Sequence, residues 1–76
     1  MSLGEAIRTA RQKSLYTQED FAKCLGVSLS TVNRWELNKS QPSMKAMKSI
    51  REFCSETKQP YELIESEWMR SKCSGK

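Results

Sequence analysis

Thr17-Gln18-Glu19-Asp20-Phe21-Ala22-Lys23-Cys24-Leu25-Gly26-Val27-Ser28, running on into Leu29-Ser30-Thr31-Val32-Asn33-Arg34-Trp35-Glu36, is the stretch that decides the fold. Thr17 suits a helix N-cap, and Asp20 three residues later can reach back to it, a capping-box variant. Phe21, Ala22 and Leu25 then fall on one inner face. Gly26 ends this helix where the chain must take a positive φ. Ser28 caps a second helix, with Val32 and Trp35 pointing inward. Two helices that cross steeply need a small residue where they approach, and Ala22 supplies it four residues before the turn glycine. The outward positions of the second helix are Leu29, Ser30, Asn33 and Arg34.

The pattern extends in both directions. Upstream, Leu3, Ala6, Ile7 and Ala10 fall at i, i+3, i+4 and i+7, which predicts a helix from Leu3 to Lys13. Downstream, Leu37 to Pro42 reads as a loop, and Ser43 caps a fourth helix with an expected apolar stripe of Met44, Met47, Ile50 and Cys54. A turn is expected over Glu56 to Gln59. Pro60 is placed in the first turn of a fifth helix, whose stripe is Tyr61, Ile64 and Trp68 and which ends near Lys72. The expected organisation is one domain over residues 1–72 and a disordered tail over 73–76. Runs of alternating apolar residues are absent, so the fold class is all-α.

The chain has 76 residues, 37% hydrophobic and 29% charged, enough for one modest core. Its net charge is +4, and the placement of that charge is informative. Residues 1–48 carry eight Lys and Arg against four acids, whereas residues 49–76 carry five of each. A polyanionic partner should therefore meet the first two thirds. Three widely spaced cysteines, Cys24, Cys54 and Cys73, and no histidine argue against a zinc site. Free thiols and the lack of any secretory or membrane-spanning pattern lead us to expect a cytoplasmic protein. Without histidine, a paired-carboxylate pocket pattern or a glycine-rich phosphate loop, neither an enzyme nor a cofactor is expected.

The two quoted runs, with Asn38-Lys39 and Pro42-Ser43 behind them, resemble the Cro/C1-type (XRE) helix-turn-helix family of phage repressors and their bacterial relatives. The resemblance covers about Leu3 to Phe53 and implies a small, five-helix, lambda-repressor-like DNA-binding domain. By that likeness, Leu29, Ser30, Asn33 and Arg34 occupy the base-reading face. Arg34 has the fork that bonds guanine N7 and O6. Leu29 departs from the polar or basic residue usual in the family; it has no donor and offers a thymine methyl contact or none. Gln18, Thr31, Asn38, Lys39 and Ser40 match backbone-contacting positions, and Gln18 can also brace a base-reading side chain. Asn38 stands where the family often has glycine. Arg11 and Glu36 match a salt bridge between the first helix and the end of the recognition helix, so they are architectural, together with Ala22, Gly26, Val32 and Trp35.

The resemblance implies double-stranded DNA as partner and a homodimer on a near-palindromic site. The acid-balanced C-terminal third is the expected dimer contact; Met69 and Trp68 can offer apolar area there, although Trp68 is read first as packing on its own domain. The expected function is transcriptional regulation, as a repressor occupying its operator. The alternatives are an antitoxin that binds DNA and a toxin, and a protein-interaction module that has lost DNA binding. No small-molecule substrate or inducer site is expected.

Overall fold

In the computed structural model, residues 2–74 are described, with side chains through Arg70. Five helices follow one another: α1 (Leu3–Lys13), α2 (Gln18–Leu25), α3 (Leu29–Glu36), α4 (Met44–Thr57) and α5 (Glu62–Ser74). No strand occurs among the described residues.

Each of the first four helices starts on a hydroxyl. Ser2, Thr17, Ser28 and Ser43 accept hydrogen bonds from the backbone N–H three residues on, satisfying donors that the first turn leaves open. At α1 and α2 the third residue, Glu5 or Asp20, completes a capping box. Gly26 ends α2 with φ 73°. A Cβ there would meet nothing within 4 Å, so conformation alone requires the glycine.

The core gathers Leu3, Ile7 and Ala10 of α1, Phe21 and Leu25 of α2, Val32 and Trp35 of α3, Met47, Ile50 and Phe53 of α4, and Ile64 and Trp68 of α5. The Phe53 ring makes edge contacts with Phe21 and Tyr16, at centroid separations of 4.8 and 4.9 Å, the favoured geometry for aromatic pairs. These rings hold α2 against α4, so α3 is left with a buried inner stripe and a free outer one.

Three expectations change. Met44 is 65% exposed rather than part of the α4 stripe. The buried set is Ala46, Met47, Ile50, Phe53 and Cys54, and at 100° per residue Met44 stands roughly 120° from Ile50. α4 extends through Thr57 and stops at Lys58, which takes the left-handed conformation (φ 59°) usually left to glycine. The turn therefore starts later than Glu56. Pro60 precedes α5 instead of sitting in its first turn, because the first helical bond runs from the Glu65 N–H to the Tyr61 carbonyl. Trp68 packs on its own domain, at the end of the expected α5 stripe. It is 7% exposed, and its indole Nε1–H donates to the Pro42 carbonyl at 2.7 Å. Met69 remains exposed. Of the tail expected from Cys73, the backbone through Ser74 belongs to α5, and residues 75–76 lie outside the described residues.

Candidate nucleic-acid interface

The outer face of α3 presents Leu29, Ser30, Asn33 and Arg34, all exposed, while Val32, Trp35 and Glu36 face inward. An α-helix repeats every 3.6 residues, so this division follows from the sequence once the apolar stripe is buried.

What holds α3 at its angle is polar. Glu36, the last residue of α3, is 6% exposed. Arg11 of α1 donates to it twice, from Nε to Oε2 at 2.7 Å and from Nη2 to Oε1 at 3.1 Å, a two-pronged clamp. Arg11 Nη1 also donates to the Tyr16 carbonyl at 2.9 Å, so one guanidinium ties α1, the turn before α2 and the end of α3. The Gln18 side chain at the start of α2 donates from Nε2 to Glu36 Oε1 at 3.0 Å. Arg8 approaches the same oxygen at 3.8 Å from a half-exposed position. The Arg11–Glu36 pair thus joins α1 to the end of α3. Gln18 is braced on Glu36, half-buried beside the α3 face.

Asn38, exposed at the end of α3, has both polar groups of its side chain engaged within the chain. Its φ of 61° fits an asparagine in the left-handed region. Its backbone N–H donates to the Trp35 carbonyl. Its side-chain Oδ1 accepts the Gly4 N–H at 3.0 Å, and Nδ2 donates to Ser2 Oγ at 3.2 Å. Asn38 therefore latches the end of α3 to the start of α1.

Gly4 is a structural residue that sequence reasoning missed. A Cβ at Gly4 would lie 2.6 Å from both the Trp35 and Glu36 carbonyl oxygens. Only a glycine lets the first turn of α1 approach the last turn of α3 so closely. The available signal was a glycine inside a helical pattern, where it costs stability unless close packing demands it.

The other flank of α3 forms a cleft with the following loop and the start of α4. Its lining includes Thr31, Arg34, Ser40, Gln41 and Ser43. The Thr31 hydroxyl already shares a hydrogen bond with Ser28 Oγ at 2.8 Å. Lys39 is exposed at the loop tip, its own N–H bonded to the Arg34 carbonyl. Hydroxyls, an amide, a guanidinium and the N-terminus of a 14-residue helix all favour an anion.

Charge agrees with this geometry. From Phe21 to Arg51 the exposed ionisable groups are Lys23, Arg34, Lys39, Lys45, Lys48 and Arg51, all cationic apart from the Cys24 thiol. Glu36 is the one carboxylate in that span, and it is buried against Arg11. No cluster of His, Cys, Asp and Glu suited to a metal ion occurs among the described residues. Nor is any helix there long and apolar enough to cross a membrane.

A helix-turn-helix family model matches residues 7–57, which take in the second part of α1 and all of α2, α3 and α4. The HTH-type transcriptional activator BcrR of Enterococcus faecalis is 35% identical over 57 residues, a match covering 75% of this chain. The matched segment spans 28% of that relative's length. Two capped helices hinged at Ala22 and Gly26, a salt-bridged outward α3 and this match over two thirds of the residues agree, and the chain belongs to the Cro/C1-type helix-turn-helix family of DNA-binding regulators.

Proposed function

We propose that this chain is a sequence-specific reader of double-stranded DNA in a transcriptional regulator, with α3 lying in the major groove. The observation that carries the reading is the outer face of α3: four exposed side chains on a helix whose inner side is fixed by Arg11, in a span where the exposed residues carry no carboxylate. In this reading Ser30, Asn33 and Arg34 meet base edges, and Arg34 bonds guanine. Gln18, Thr31, Lys39 and Ser40 meet the backbone, the cleft beside α3 holding a phosphate. Asn38 acts from behind, by placing the loop.

One domain covers a short half-site, so a homodimer on half-sites about 34–36 Å apart gives usable affinity. Output follows from where the operator lies. Occupancy alone suffices for repression, whereas the BcrR relative's name is that of an activator. A promoter fusion carrying the selected site reports the sign directly.

The deciding experiment is duplex titration at two salt concentrations. Binding that falls steeply with salt is expected, since phosphate contacts release counterions. Arg34→Ala should lose about 1–3 kcal/mol on the preferred duplex and relax the choice at one base pair. Lys39→Ala should weaken all sequences alike and reduce the salt slope by about 1. Equal losses for Arg34→Ala on preferred and random duplex would remove its base-reading role. No duplex binding at low salt would remove the function.

A further inference from the structure

Leu29 is the first residue of α3 and stands 49% exposed. It adds nothing to the stripe of Val32, Trp35 and Glu36 that fixes the helix. At 100° per residue, Leu29 and Asn33 share the flank of α3 next to Glu36. That flank is where the Gln18 side chain is held by the Glu36 carboxylate. An isobutyl group has neither donor nor acceptor. Among the major-groove edges of the four bases, the one apolar target is the C5-methyl of thymine.

We propose that Leu29 selects a pyrimidine carrying a 5-methyl group, which makes that methyl a fixed element of each half-site. The proposal rests on the DNA-binding reading and names the chemistry of one position in it. Thymine and 5-methylcytosine present the same group at the same ring carbon, so the recognised feature is the methyl itself.

The surroundings favour a duplex over an apolar protein surface. The other exposed leucine near α3, Leu37, lies eight residues on, roughly 12 Å along the axis. Exposed Ser30, Asn33 and Arg34 fall between the two in sequence. A lone apolar group amid polar and cationic neighbours fits an isolated methyl in a polyanionic groove better than a continuous apolar partner.

The test starts from duplexes selected by the full chain out of two random pools, one with ordinary cytosine and one with 5-methylcytosine. Each thymine of a selected duplex is then replaced singly by uracil, which removes only the methyl. The expected result is one thymine per half-site whose replacement weakens binding about fourfold, the effect of burying one methyl-sized group. Leu29→Ala, changed at an exposed position, should fold normally and bind the thymine and uracil duplexes equally. Selection of that position only from the methylated pool would assign the contact to 5-methylcytosine. Tight duplex binding in which every uracil replacement affects both proteins alike overturns the proposal. An absence of binding to any duplex at low salt overturns the DNA reading first, and this inference with it.

Discussion

Replacing Glu36 by methionine removes the carboxylate on which three elements converge. Arg11 is 8% exposed and would keep its charge, with the Tyr16 carbonyl as its remaining protein acceptor. Two charge-assisted bonds, at 2.7 and 3.1 Å, disappear, and so does the Gln18 bond at 3.0 Å. Breaking a buried pair from one side typically costs about 3–5 kcal/mol. The half-exposed Arg8 contact, at 3.8 Å, adds little to that figure. A chain of 76 residues holds roughly 4–11 kcal/mol in total. Glu36→Met therefore removes between about a quarter and all of the stability, and should lower the urea midpoint by a matching fraction.

The double variant Arg11→Met/Glu36→Met separates charge from packing. With both charges gone, two apolar side chains of similar length fill the space, and the buried cation no longer lacks a partner. The double variant should recover at least about 2 kcal/mol over Glu36→Met. Urea unfolding followed by circular dichroism, run as a double-mutant cycle, measures the coupling. The reasoning is refuted if Glu36→Met costs under about 1 kcal/mol, or if the double variant loses the sum of the two single losses.

Gly4→Ala should lower stability by about 1–3 kcal/mol, because its Cβ would press on two backbone carbonyls that cannot swing away; an unchanged melting temperature would show that α1 shifts freely. Leu15→Gly should instead stabilise by roughly 0.5–1 kcal/mol, since Leu15 is 91% exposed and holds φ 63° at a strain cost; a loss in thermal unfolding would contradict that account. Burial pushes the Cys54 thiol up to about 11. The folded state thus keeps that proton after the unfolded chain has lost it, so this contribution is complete below about pH 9 and disappears as pH rises towards 11. Unfolding free energies of wild type and Cys54→Ala should accordingly draw together across that window, and parallel curves would refute the linkage. Trp68→Phe should cost about 1–2 kcal/mol by leaving the buried Pro42 carbonyl without its donor, and amide exchange at residues 37–41 should quicken; unchanged exchange would mean that α5 does not support that loop.

Helix periodicity, the hydroxyl caps at Thr17, Ser28 and Ser43, the Ala22–Gly26 hinge and the outward set on α3 were all legible along the chain, because each depends on neighbours within about one turn. Local order also fixed where positive charge accumulates. The sequence pattern could not tell Trp68 at the end of a stripe from Trp68 on a free face, since that depends on whether the Pro42 carbonyl arrives 26 residues away. It could not reveal that Asn38 faces α1, or that Gly4 marks where two helix ends touch, because both partners are more than 30 positions distant. Met44 and Lys58 show the same division: spacing named an apolar helix and its approximate end, while packing against α2 chose which side was buried. Short-range geometry thus wrote the elements and the reading face. The angle at which that face is presented came from long-range contacts, the bonds converging on Glu36, the Asn38 latch and the close approach at Gly4, whose energies no local pattern encodes.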